Sequence, residues 1–532
     1  LNSRIRYSHV APGVDLVFRG EAGSLEYDLE VEPGGDPTAV ALQVSHGGSF
    51  QLESDGSATI QVTGGSRGCK SLHLLAPSAF QTIDGRKEKV SSRFTLDEAG
   101  HLAFAVPEYN RQLALTIDPV VSYTKIIGVN NSTGVSALQV DSEGDVFITG
   151  ATSASNYPVV GGGIGSNNGS QQVYLTKLDP TGTQVLYSTY LPAPGFNSAT
   201  ALALDASGNA YVAGIAGSSG FPTTSSNLGT CDMFCNAGFV AKFDTNGAMI
   251  YSTLLGSGQQ LPKGITVDNV GNAYLAGLST DGGLQTVNSF QPTFNSMVCT
   301  SCGAAFFAKL NPTGTAWIFS SYFYSPGRIN AVTYATSIAR DAEGNIYFAG
   351  SGDSVPLKGS LQYATGGSFA AEFAPDGKTL IFSTLLGGNT IEPDSISALQ
   401  VGSDGTIYIA GSQSAQDFPY TVNAYRHPIY AIGYAQSKQY IFAAAINPAH
   451  SGYSWSTYLG QGSVSSTAMD SAGNFYVAGS FSIGSVLFKN ALAADTTSGA
   501  YILELDPTGA LVMGTGFGGK NVSQIPSGMA VD

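Results

Sequence analysis

Six copies of one ten-residue phrase constrain this chain more than any single residue does. They read DSEGDVFITG (141–150), DASGNAYVAG (205–214), DNVGNAYLAG (268–277), DAEGNIYFAG (341–350), GSDGTIYIAG (402–411) and DSAGNFYVAG (470–479). Their turn glycines at 144, 208, 271, 344, 405 and 473 are therefore 64, 63, 73, 61 and 68 residues apart. A period of that size, with strand rather than helix content, predicts an array of small β-sheets.

Each repeat holds four strand-like runs, which in the second copy are 200–205, 209–214, 239–244 and 248–255. The first two are joined by a D-x-x-G turn, in which Asp accepts from a nearby backbone N–H and Gly takes the positive φ that closes a hairpin. The last two are joined by DPTG (179–182), DTNG (244–247), NPTG (311–314), APDG (374–377) and DPTG (506–509), with a looser NPAHSG (447–452) in the fifth copy. Between them lie the most variable loops, at 152–172, 215–237, 278–303 and 412–440. Four antiparallel strands and two hairpins per unit predict a propeller blade rather than a turn of a parallel solenoid. An outer-type strand (120–127) precedes the first repeat and an inner-type strand (527–532) follows the sixth. This predicts six complete blades plus parts of a shared seventh, with six blades and two spare strands as the competing count.

Residues 1–118 lack the repeat and hold 10 of the 23 basic residues. Their alternating runs, such as 25–31 and 91–96, predict a sandwich-like β domain. The fold expected is thus all-β, with an N-terminal β domain (1–118) and a β-propeller (119–532). The chain starts without Met and stops within a repeat, so both ends read as cut from a longer precursor.

A balance of 23 basic against 38 acidic residues, −15 overall, argues against nucleic acid and against an anionic membrane surface. No apolar run reaches the ~18–20 residues that span a bilayer. Of five cysteines, Cys231 and Cys235 form a C-x3-C and Cys299 and Cys302 a C-x2-C, each before an equivalent strand. A four-thiolate zinc site is the sharper reading. Two disulfides in loops of an exported protein fit the Gly/Ser/Thr-rich, lysine-poor composition better. Pairing within or across loops stays open, and Cys69 is left over.

Asp141, Asp205, Asp268, Asp341 and Asp470 recur in the turns. Calcium needs six or more oxygens, and each turn offers one carboxylate, with a second only at Asp145, so turn capping is expected and no metal. Lys177, Lys242 and Lys309 share one third-strand position, which Glu372 and Glu504 also occupy, and this reads as a solvated sheet face. The histidines (His9, His46, His73, His101, His427 and His450) form no ligand pair, and no G-x-S-x-G elbow accompanies them. No catalytic residue and no cofactor is expected. Loop aromatics Tyr157, Phe221, Phe290, Phe294, Phe418, Tyr425 and Tyr430 could stack on sugars, or simply pack their loops down. The functional reading is a binding or structural module that presents its loops to a polysaccharide or protein partner without catalysis. A secreted polysaccharide hydrolase or lyase, with a site built by the loops, is the alternative.

The blade phrases D-x-x-G-N-x-Y-[VFL]-A-G, F-[VF]-A-K-[LF]-[DN]-P-T-G and Y-S-T-[YL]-L-G resemble the bacterial SBBP repeat, named for a seven-bladed β-propeller. The stretches IRYSHVAPGVDLV (5–17) and LEYD (25–28) resemble the β domain that precedes such repeats in exported proteins of acidobacteria and their relatives. The resemblance implies an extracellular or cell-surface location and further domains of the same precursor, and it brings no catalytic residues. The fifth repeat departs from the pattern at Gly402 and Ala445.

Overall fold

In repeats two to six the D-x-x-G turn is closed by a backbone hydrogen bond between the turn glycine and the Asp (Gly402 in the fifth): Gly208 N donates to Asp205 O at 2.9 Å, and Gly473 N to Asp470 O at 3.1 Å. The computed structural model describes residues 3–21, 24–42, 49–52, 56, 58–61, 71–74, 77–83, 86–97, 100–118, 133–161, 170–179, 184–224, 228–231, 236–294, 303–326, 332–352, 354–361, 367–387, 395–413, 418–421, 439–481, 499–517 and 526–531. They are all-β apart from one 3-10 turn at Pro37–Ala39. Among them no helix is long and apolar enough to cross a membrane, which says nothing of a strand-built barrel.

In the N-terminal region, strands Ser3–Ala11, Val14–Glu21, Ser24–Val31, Leu115–Asp118, Ser78–Ile83 and Arg86–Val90 lie in that order in one sheet. Two three-stranded sheets, one holding Arg93–Leu96 and Leu102–Ala105 and one holding Ala58–Gln61, complete it. Val14, Leu29 and Ile117 of the large sheet share a core with Phe94, Phe104 and Ala58 of the small ones, giving a sandwich-like arrangement.

From Thr133 onward the chain builds four-stranded antiparallel blades, their strands adjacent in chain order from the inside out. The second blade is Ser198–Leu204, Ala210–Ala216, Ala237–Phe243 and Met249–Leu254. The other inner strands are Thr133–Val140, Gln260–Val267, Tyr334–Arg340, Ser395–Val401 and the later part of Tyr453–Met469. That last strand is 17 residues long: up to Gln461 it is the outer strand of the fifth blade, and from Gly462 the inner strand of the sixth. The hydrophobic cores lie between blades. Tyr211, Val240 and Tyr251 of the second meet Leu275, Phe306 and Ala308 of the third, and Phe323 of the third meets Phe348, Phe369 and Phe373 of the fourth. Each such ring or branched side chain contributes roughly 1.5–3 kcal/mol by leaving water.

The last glycine of each phrase has a steric cause. In blades two to six the inner strand bulges by one residue, between Ala199 and Ala201 in the second and between Pro262 and Gly264 in the third. The bulge presses the inner backbone onto the second strand, so that a Cβ at Gly214 or Gly277 would lie 2.1 Å from a carbonyl oxygen. Only glycine fits there.

Ser527–Val531 lines the axis beside the six inner strands. Met529 N donates to Ser466 Oγ of the sixth blade at 3.1 Å, while Gly528 abuts Leu138 of the first, so this segment sits between them at a seventh position. The outer-type strand expected at 120–127 lies outside the described residues.

Candidate functional site

The inner strands surround a cavity of ≈ 480 Å³. The bulge position, with its sequence equivalents in the first blade and in 527–531, carries Ser136, Thr200, Lys263, Thr336, Ser397, Ser465 and Ser527. Six are hydroxyls, and two of them bond the next blade, while Ser465 Oγ donates to Ala478 O of its own blade at 3.2 Å. Thr200 Oγ1 lies 2.7 Å from Pro262 O of the next blade and Thr336 Oγ1 2.6 Å from Ile396 O. The following position is Ala, Ser or Gly in all seven copies, as a crowded axis demands; at Gly264 a Cβ would sit 3.0 Å from Ile338 N.

Among the described residues lining this cavity are two cations, Lys263 and Arg340, and no Asp, Glu, His or Cys. Arg340 is engaged: it donates to Val267 O (3.0 Å), Asp341 O (3.3 Å) and Asn269 Oδ1 (3.4 Å). Lys263 is exposed and makes no ion pair or side-chain hydrogen bond among the described residues. The two lie at opposite ends. Gln260 pairs with Ser279 and Val267 with Ala273, so the bulge end of the axis is where the long variable loops leave, and the Arg340 end is where the D-x-x-G turns lie.

At those turns Asp205 Oδ1 accepts from Ser207 N (3.0 Å) and Asn209 N (2.9 Å), while Oδ2 accepts from Asn209 Nδ2 (2.8 Å) and Tyr211 OH (3.1 Å). Asp268 and Asp470 are held in the same way. Burial opposes the charge on Asp205, but the Asn209 and Tyr211 bonds and the Lys242 charge outweigh it, and its carboxyl is held below the usual range.

The lysines do not form a solvated face, which corrects the sequence expectation. Lys177, Lys242 and Lys309 pair with Asp141, Asp205 and Asp268 at 3.2, 3.4 and 3.3 Å. Each ammonium lies 4.6–4.9 Å from a second-strand ring, that of Phe147, Tyr211 or Tyr274. Where Glu372 replaces lysine, His450 Nε2 meets it at 2.8 Å from the turn of the next blade. That turn is not looser than the others. His450 N donates to Asn447 O at 2.9 Å, as Gly314 N does to Asn311 O at 3.0 Å, and His450 takes the turn glycine's place at φ +54°. The fifth blade lacks both partners at once, with Gly402 for Asp and Ala445 for Lys, and Asp404 caps its turn through Thr406 N instead. In the first turn Asp141, Glu143 and Asp145 gather carboxylates within 4.8 Å of one another, but Lys177 already balances Asp141.

The loop aromatics, which could either stack on sugars or pack their loops down, are mostly turned inward among the described residues. Tyr157, Phe221 and Phe418 are 3 %, 5 % and 1 % exposed and pack on third-strand rings Tyr174, Phe239 and Phe442. Phe290 and Phe294 pack half-buried against Phe373 and Tyr322. Each loop begins by folding back over its own sheet, and the ring seals that fold. Tyr425 and Tyr430 lie outside the described residues, as do Cys69, Cys235, Cys299 and Cys302; Cys231 packs against the core between the first two blades. Exposed aromatics on the loop face include two the sequence reading missed: Phe196, 78 % exposed, in the connection between those blades, and Tyr420, 45 % exposed, in the long loop of the fifth. Lys263 was missed too, although it is the odd residue when the inner strands are aligned.

No curated protein matches the chain in sequence. Solved structures similar to it include the β-propeller domain of Cps50 (Swd1) from Myceliophteria thermophila (10 % identity, TM-score 0.38, covering 76 % of this chain and 92 % of that one). A protein of unknown function from Dyadobacter fermentans (11 %, 0.36, 68 % and 94 %) is another. The extracellular domain of a one-component system from B. thetaiotaomicron (10 %, 0.35) is covered over 53 % of its length by 96 % of this chain. Residues 2–120 match the model of a domain of unknown function, DUF7948. Residues 250–284 match that of a β-propeller repeat, SBBP, and span most of the second blade's outer strand and the inner and second strands of the third.

Proposed function

We propose that this chain is a binding module of an exported protein, with an N-terminal β domain over 1–118 and a propeller over 119–532, and that it holds a polysaccharide or protein partner without catalysis. The observation that carries the reading is the axial cavity. Its size falls within the ~300–1,000 Å³ of small-ligand sites, and its lining is rich in hydroxyls. Acid–base or nucleophilic chemistry calls for unlike titratable groups converging on one point, and among the described residues the lining supplies two cations with no acid, imidazole or thiol. An extracellular or cell-surface setting is supported by the Gly/Ser/Thr-rich, lysine-poor composition, which suits disulfides in the cysteine-bearing loops. The test is a glycan array probed with the purified chain, with product analysis on every glycan bound. Retention of intact glycans is expected, and release of shortened products would overturn the reading.

A further inference from the structure

We propose that the axial cavity recognises an acidic sugar, a uronate, whose carboxylate pairs with the Lys263 ammonium while its hydroxyls meet the ring of Ser and Thr side chains. This rests on the binding-module reading and names the chemistry of its ligand. Lys263 stands at one of seven equivalent positions, and the other six carry hydroxyls. It therefore forgoes the bond to the next blade that Thr200 and Thr336 make at the same place. A residue that gives up a structural bond made at the same place in two other blades is a mark of function.

The electrostatics point the same way. In a chain of net charge −15, the lining of this cavity contains no carboxylate, and Lys263 has no partner among the described residues. A lone ammonium at a concave, partly enclosed mouth attracts an anion more strongly than one on an open surface, because less water screens it. Nine Ser and Thr residues line the same cavity, and a hydroxyl both donates and accepts, as a sugar hydroxyl does. One unpaired cation among many neutral hydroxyls matches a ligand with one carboxylate among many hydroxyls. A peptide with repeated acidic side chains would call for several free cations.

The experiment is isothermal titration of the full chain with trigalacturonate, maltotriose and hexaglutamate, for the wild type, Lys263→Thr and Lys263→Met. Lys263→Thr installs the residue that the neighbouring blades use, so it should fold; Lys263→Met removes the charge without adding a bond and guards against a local rearrangement. Trigalacturonate should bind the wild type at or below millimolar concentration, weaken as salt rises, and lose about tenfold or more in both variants. Maltotriose should bind more weakly and without dependence on Lys263. Unchanged trigalacturonate affinity in the variants, no binding at millimolar concentration, or hexaglutamate binding as tightly as trigalacturonate would each overturn the inference. A glycan that binds with no dependence on Lys263 removes this inference and leaves the binding-module reading standing. Cleavage of trigalacturonate removes the non-catalytic reading, while the loss of affinity in the variants still decides the role of Lys263.

Discussion

The Asp205–Lys242 pair can be dissected with a double-mutant cycle whose outcome the fifth blade anticipates. The two side chains are 10 % and 11 % exposed, so water screens them poorly. Lys242→Met removes a charged contact to Asp205 and the cation over Tyr211, but the carboxylate keeps its bonds from Asn209 and Tyr211. We expect it to cost about 1.5 kcal/mol. Asp205→Asn keeps an oxygen for the Ser207 and Asn209 backbone N–H groups yet strands a buried ammonium, which should cost ~3 kcal/mol. The double variant has neither charge, as in the fifth blade with Gly402 and Ala445. It should cost about 2–2.5 kcal/mol rather than the sum of the single effects, a coupling of roughly 2 kcal/mol. Urea unfolding followed by tryptophan emission reads this, since Trp317 and Trp455 are both buried in blades. Additive costs, or an Asp205→Asn variant no less stable than Lys242→Met, would refute the argument that the pair is held as a unit.

Acid should destabilise the propeller through its turns. The carboxyls of Asp205, Asp268, Asp404 and Asp470 are held below their ordinary range, so their contribution is complete above about pH 4 and lost as pH falls through their folded values; a Tm that stays level or rises from pH 5 to pH 2 would contradict this. Gly314→Ala places a Cβ 2.4 Å from the Tyr251 ring at φ +71° and should cost well over 2 kcal/mol, whereas Gly34→Ala, at φ +83° with nothing within 4 Å, should cost only the ~1 kcal/mol of backbone strain; equal losses in urea midpoints would show that the turn does not stack on the neighbouring blade. Thiol counting on denatured, unreduced protein should find Cys231, Cys235, Cys299 and Cys302 unreactive; four reactive thiols, or stoichiometric zinc, would exclude the disulfides.

What the sequence made legible was whatever each repeat does locally. The bonds that close each turn lie within four residues of its Asp, so the spacing alone pointed to hairpins and to blades. Lys242 was misread because its partners come from the first turn and the second strand of its own sheet, a convergence that strand alternation does not reveal. His450 looked like a loosened hairpin because a left-handed histidine is uncommon, and its contacts with Glu372 and the Phe382 ring of another blade give it a reason to be there. Tyr157, Phe221 and Phe418 were open to two readings, since the direction of a loop ring depends on whether the loop folds back. Lys263 was within reach of the sequence: aligning PKGITV (262–267) with ATALAL (199–204) and ATSIAR (335–340) exposes it as the one charge in a column of hydroxyls.

The unbroken strand Tyr453–Met469 leaves no slack between the fifth and sixth blades. Up to Gln461 it pairs with the third strand of the fifth blade, and from Gly462 with the second strand of the sixth, so no unpaired residue lies between the two sheets. Elsewhere a connection intervenes, as between Leu191 and Ser198 or between Leu254 and Gln260. Under force, seams with such a connection should part first, because the last two blades can separate only by unzipping residues from one sheet or the other.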